Sequence, residues 1–222
     1  MYVCLMFRKM KSLRSALTLL FLVAGVVFAK AQYLFQEDFS QTSGSPLSWP
    51  TDCGSGSNIT ISPTGLSYPG YVGSGVGNAA FITGLGGSGV SHSTTFSNLS
   101  QPVYVGFLVN VQSAASFSSP GGCAPGTDVI IAFDPNSGGS SNDHGLIVQP
   151  NGGGFQFGLH TDFGDVFTPA VYSFNTTYLI VMKRGFGSLL LYVNPTLGGT
   201  EPAPDVTNSF STGSGNAANG LS

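Results

Sequence analysis

The chain has 222 residues, of which 8% are charged, 12% are aromatic and 32 are glycine. So few Glu, Lys and Arg cannot dress the solvated faces of a helical bundle, and so many aromatic and β-branched residues speak against disorder. Only Lys183 and Arg184 are basic after position 30, which excludes a phosphate-neutralising surface, and with it nucleic acid and anionic membranes as partners.

Residues 1–31 read as a secretory signal peptide. Arg8, Lys9, Lys11 and Arg14 precede the apolar stretch Ala16–Phe28, and Ala29-Lys30-Ala31 places small residues before an expected cleavage between Ala31 and Gln32. The apolar stretch is shorter than the roughly 20 residues a spanning helix needs, so no membrane insertion is expected after cleavage. Translation starting at Met10 leaves an equally complete leader, and no Leu-x-x-Cys lipobox marks a lipid anchor. The remaining chain keeps two basic and ten acidic residues, a formal charge of −8.

From Gln32 onwards, short apolar runs alternate with turns rich in Gly, Ser, Asn and Pro. The first, Tyr33–Phe39, predicts an opening strand, and the loop after it holds Trp49 and Cys53. Strands are expected at Asn58–Ser62, Ala79–Ile82 (after the glycine-loaded stretch from Leu66), Val90–Phe96 and Val103–Val111. Asp128–Phe133 follows a loop with Cys123, and Gly145–Val148 pairs with Gly154–His160 across a Pro-Asn-Gly-Gly turn. Ala170–Phe174 leads into the dominant feature, a hairpin of Tyr178–Met182 and Leu189–Val193. Neither of its strands alternates cleanly, so both belong inside a sheet, and Lys183 and Arg184 mark where its tip meets water. About eleven short strands at intervals of roughly 8–15 residues predict an all-β antiparallel sandwich or barrel. Domain organisation follows: a leader at 1–31, one sandwich domain at 32–205, and a polar tail at 206–222 that stops without a closing strand.

Cys53 and Cys123 form an even pair in an exported chain and are expected to be bridged. Catalytic chemistry finds little support. Glu37-Asp38 puts neighbouring carboxylates on opposite strand faces, and Glu201 sits in a Pro-rich stretch, so the paired acids of a glycoside hydrolase are not set up. His92, His144 and His160 accompany many serines, but no Gly-x-Ser-x-Gly elbow occurs. Asp134, Asn136 and Asp143 share one loop and offer hard oxygens to Ca²⁺, although the same residue types are ordinary turn formers; no other cofactor is implied. Tyr68 and Tyr71, in a Gly/Pro loop, either stack on a sugar ring or fold inward as a lid, and Trp49 divides between core plug and platform.

Five segments together carry a resemblance: LFQEDFS (Leu34–Ser40), GLSYPGYVGSGVGNAA (Gly65–Ala80), VYVGFLVNV (Val103–Val111), TTYLIVMKR (Thr176–Arg184) and LLLYVNPTLGGTEPAP (Leu189–Pro204). As a set they resemble the laminin-G-like, concanavalin A-like lectin/glucanase domains of exported bacterial surface proteins. The resemblance implies a jelly-roll sandwich of two curved antiparallel sheets within a larger exported chain bearing other domains. Arg-Gln-Gly and Asp-Gly-Ile-Arg-Val elements that continue the family pattern are absent, so the final strand of the fold is expected to be missing. Together these readings predict a secreted, non-catalytic, lectin-like module for a glycan or another cell-surface polymer. The alternative is a structural or adhesive module of a larger surface protein, and a glycoside hydrolase stands last.

Overall fold

A computed structural model describes residues 35–53, 59–82, 91–99, 102–114, 129–133, 144–211 and 218–221. The chain divides into a unit up to Gln36 and a second from Glu37 to Ser222, which holds every described strand. The described residues form fourteen strands: β1 (Thr51–Cys53), β2 (Ile59–Ser62), β3 (Ala79–Ile82), β4 (Ser91–His92), β5 (Thr94–Leu99), β6 (Val103–Asn110) and β7 (Val129–Phe133), then β8 (His144–Asn151), β9 (Gly154–Thr161), β10 (Gly164–Phe167), β11 (Thr177–Arg184), β12 (Ser188–Val193), β13 (Val206–Ser209) and β14 (Ala218–Leu221). The fold is all-β, without helices among the described residues, and every strand pairing is antiparallel. No helix there is long and apolar enough to cross a membrane.

Two four-stranded sheets carry the core. The central sheet has the order β13-β12-β11-β6, and the second sheet β10-β9-β8-β7. Pairs β1-β4, β5-β14 and β2-β3 complete the described strands. The predicted hairpin is β11-β12, and both its strands are interior in their sheet, as its unbroken apolar runs require. Because side chains alternate along a strand, one face of the central sheet gathers Tyr178, Ile180, Met182, Leu189, Leu191 and Val206, all buried. Phe155, Phe157, Leu159, Leu146 and Val148 form the corresponding face of β8 and β9. The two faces meet: the Tyr178 ring lies edge-on to Phe155 and Phe157 at 6.1 and 5.6 Å between centroids, a favoured aromatic arrangement. At the β13 edge, Asn208 Nδ2 donates to the carbonyls of Leu159 (3.0 Å) and Gly164 (2.8 Å), and Thr161 Oγ1 donates to that of Ser209 (2.7 Å). A buried amide here supplies backbone carbonyls of the opposite sheet with the partners that buried polar groups require.

Several expectations change. No strand forms at 35–39; Phe39 has φ 51°, a left-handed conformation that ends extended structure, and its N–H is taken by Glu37 Oε1 at 2.8 Å. Residues 206–222 are not a plain tail, since β13 pairs with β12 and β14 with β5. Val206, Asn208 and Phe210 point inward in alternation, so an amide occupies one of the buried positions of the segment read as a polar tail. Arg184 does not meet water: it is 3% exposed, and its guanidinium lies 4.9 Å from the Phe210 ring centroid. The His144 ring also stacks on Phe210, at 4.3 Å between centroids. The exposed tip of the hairpin is Phe186, at 80%.

Candidate functional site

The outward face of the central sheet carries a network of side-chain bonds under two overlying segments. Register places Tyr104, Lys183 and Leu190 in one row and Gly106, Val181 and Tyr192 in the next. Two segments lie over it. One is the stretch after β12, residues 194–205, tied at its ends by Asn194 N–H to Leu179 O (2.7 Å) and Val193 N–H to Asp205 Oδ2 (2.7 Å). The other is the glycine-rich loop 65–78. Gly77 shows why this loop needs glycine: its φ is +70°, and a Cβ there would sit 1.9 Å from the Asp38 carbonyl oxygen.

Glu201 organises the first segment. Lys183 Nζ lies 2.8 and 2.9 Å from its two oxygens, Tyr104 OH donates to Oε2 at 2.7 Å, and Tyr192 OH donates to Oε1. Lys183 also stands 5.0 Å over the Tyr104 ring, within cation–π range. With the Lys183 ammonium first and the Tyr192 and Tyr104 hydroxyls after it, the Glu201 carboxyl is held down at about 2. Burial, and then the neighbouring carboxylate, push Tyr192 up to about 12, while the Glu201 bond raises Lys183 above its ordinary value. The result is a closed polar clamp. Tyr192 is only 3% exposed within it, but Tyr104, on β6 at the end of the described strand order, shows 53% of its surface to solvent.

Beside Tyr104 sits Tyr71, half-buried, whose hydroxyl donates to Gly106 O at 2.7 Å and so fastens the glycine loop to β6. Tyr68 is also half-buried, and its N–H reaches Ser74 Oγ at 2.5 Å across the loop. Val72 and Val76, in the same loop, and Leu197, in the segment beyond β12, are exposed apolar residues. Gly70 is within reach of Leu197: a Cβ there would lie 3.5 Å from Leu197 Cδ1. Loop, segment and strand edge therefore form one rim.

The other sequence-predicted residues lie elsewhere. Trp49 is half-buried, stacks on Phe39 at 6.3 Å, and donates Nε1–H to Glu37 Oε2 at 2.9 Å. Its carbonyl accepts from His92 Nδ1 at 2.7 Å, which fixes that ring's tautomer. Glu37 thus uses both oxygens on its own chain, and Asp38 Oδ1 accepts from Ser40 N–H at 3.0 Å, the geometry of local turn bonds. His160 Nδ1 contacts Asp165 Oδ1 at 2.6 Å on the second sheet. Cys53 lies on β1 with only its backbone described; Cys123 and the calcium candidates Asp134, Asn136 and Asp143 lie outside the described residues. No group of three or more His, Cys, Asp or Glu comes together among the described residues. Tyr104 and the Lys183–Glu201 pair were not singled out from the sequence. One signal was available: Lys183 is the only lysine and Glu201 one of two glutamates after position 31, so each has few possible partners.

No family model, curated protein or solved structure matches this chain.

Proposed function

We propose that the protein is a secreted, non-catalytic, lectin-like module with a jelly-roll sandwich of the concanavalin A-like kind. In this reading it binds a neutral glycan or a similar surface polymer at the rim formed by Tyr104, Tyr71 and the Glu201 clamp. The observation that carries the reading is the Tyr104 ring. It is half-exposed, yet its hydroxyl is held by Glu201 and its position by β6, so little side-chain freedom is lost when a sugar face stacks on it. Few charges are near and the chain is acidic, so polymer capture rests on stacking and hydrogen bonds rather than on long-range attraction.

The test is affinity electrophoresis in gels containing laminarin, mannan, xylan or dextran. One of them should retard the protein, with Kd on the order of 0.01–1 mM and little change between low and physiological salt. Tyr104→Ala should weaken retardation at least fivefold, with a stability cost of about 1–2 kcal/mol from the lost Glu201 bond and Lys183 contact. Unaltered retardation of that variant would remove Tyr104 from the site. Failure of every neutral polymer to bind would favour the structural reading, in which the Glu201 clamp serves only to hold residues 194–205 on the sheet.

A further inference from the structure

The turn between β8 and β9 combines a reactive sequence with an open geometry. Asn151 and Gly154 are the partners that close this hairpin, and Gly152-Gly153 form its two-residue loop. Gly152 stands at φ +57° in the first central position, as primed hairpin turns require. A Cβ on Gly152 or Gly153 would meet nothing within 4 Å, and residues 151–153 are exposed, so the loop stands clear of the rest of the fold. The other Asn-Gly pair of the sequence, Asn219-Gly220, lies inside β14, where Gly220 is paired with Thr95. The Asn151 amide is restrained by a neighbour: its Nδ2 donates to Gln156 Oε1 at 2.8 Å. Gln156 is in turn held by Gln149 Nε2 (2.9 Å) and Thr168 O (2.5 Å).

We propose that Asn151 is a site of spontaneous deamidation and isoaspartate formation, with Gln156 as its brake. Glycine makes the pair reactive, since no side chain on residue 152 blocks the approach of its nitrogen to the neighbouring carboxamide. The Gly152 amide nitrogen gives up its proton and attacks Asn151 Cγ. A bond forms between them, and the carboxamide nitrogen leaves as ammonia, closing a succinimide ring. Water then opens the ring at one of its two carbonyls. Attack at Cγ restores the normal chain with an aspartate, while attack at the main-chain carbonyl leaves the chain running through the side chain as isoaspartate. The net change turns amide and water into carboxylate and ammonium, with no oxidant and no co-reactant besides solvent. Reaction turns the Asn151 side chain towards Gly152 N, away from the position in which Nδ2 meets Gln156. Brief opening of a loop without packing contacts supplies that freedom.

The product disturbs the hairpin in two ways. A carboxylate at 151 sets acceptor against acceptor at Gln156 Oε1. Isoaspartate goes further, because it adds a methylene to the main chain at the residue that closes the hairpin. The strand beyond the loop has no slack to absorb it. Gly154 lies so close to Tyr172 that a Cβ would come 2.2 Å from its carbonyl oxygen, and Phe155 and Tyr172 exchange N–H···O bonds of 3.0 and 2.7 Å. Phe155 itself is fully buried, edge-on to Phe157 and Tyr178. The added length therefore strains the Asn151–Gly154 pair instead of being taken up along β9. The Tyr104 rim lies on the other sheet, so the modification is independent of any binding there.

The experiment stores the protein in warm, mildly alkaline buffer and follows it by chymotryptic peptide mapping and by enzymatic methylation of isoaspartate. Wild type should accumulate isoaspartate at Asn151 ahead of Asn219, together with more acidic species on anion exchange. Asn151→Gln, whose longer side chain closes a ring far more slowly, should remove the signal at 151 and serves as the blank. Gln156→Ala should speed the reaction roughly fivefold, the equivalent of one lost hydrogen bond. Gln149→Ala leaves the Asn151–Gln156 bond in place and should leave the rate nearly unchanged. The isoaspartyl form, separated by anion exchange, should melt below Asn151→Asp. No reaction at Asn151 under conditions that convert a free peptide of residues 148–155 overturns the site, and so does conversion at Asn219 first. Equal acceleration by the two glutamine variants overturns Gln156 as the brake. An isoaspartyl form as stable as Asn151→Asp overturns the effect on the hairpin.

Discussion

His144 offers a direct test of how this interior is built. The ring is 1% exposed, neither nitrogen has a hydrogen-bond partner among the described residues, and the nearest carboxylate oxygen, Asp162 Oδ1, is 3.5 Å from Nε2. Burial first, and the Arg184 guanidinium second, lower its pKa from 6.5 to about 4; Asp162 opposes them, and His160 adds a small further lowering. In the unfolded chain the same imidazole takes up its proton near 6.5, so between pH 6.5 and 4 the unfolded state binds more protons. Stability contributed by neutral His144 is therefore complete above about 6.5 and falls as the pH drops towards 4. Between pH 7 and 4.5 the loss amounts to about 2 kcal/mol, at 1.36 kcal/mol for each tenfold change in proton affinity. Asp162 and Glu201 have lowered folded values, so their contributions disappear below this window, as pH falls through those values. Urea unfolding of wild type and His144→Phe at both pH values isolates the effect. The phenyl ring keeps the stack on Phe210 but cannot titrate, so wild type should lose about 2 kcal/mol more than the variant on acidification. Equal losses in the two proteins would refute the assignment of a neutral, buried His144.

Two further substitutions probe the loop that borders the rim. Gly77→Ala must place a methyl group 1.9 Å from Asp38 O at a φ of +70°, so it should lower stability by more than the roughly 1–3 kcal/mol of backbone strain alone. Gly73→Ala, at φ +84° with nothing within 4 Å, should show only that strain; equal melting temperatures for the two variants would deny the close approach of the loop to Asp38. Tyr71→Phe removes the bond to Gly106 O and should cost about 1 kcal/mol in denaturant unfolding, while a variant as stable as wild type would show that the hydroxyl does not anchor the loop.

Much of the sheet structure was legible because it obeys local rules. The β11-β12 hairpin, β6 and the β8-β9 pair all show runs of apolar residues bounded by turn residues, and they appear within a few residues of where the sequence places them. What was missed lacks such a pattern. Strand β10, Gly-Asp-Val-Phe, starts on a glycine with φ +102° and gains its identity only by pairing with β9. The inward side of β13 is Val206 and Asn208, and the asparagine is there to bond the opposite sheet, so the segment reads as polar.

The charged residues misled for a related reason. A sequence reading assigns Lys and Arg to solvent, and in most chains the many charges make that a safe rule. With only two basic residues after position 30, this chain uses both in tertiary contacts. Lys183 points to the outward face and closes on Glu201; its neighbour Arg184 points inward and caps Phe210. Alternation along β11 decides which is which, because adjacent residues face opposite sides of the sheet. A charge pair at the end of an interior strand is thus better read as one clamp on each face than as a wet turn. That reading would have led from Lys183 to Glu201, and from Glu201 to the rim.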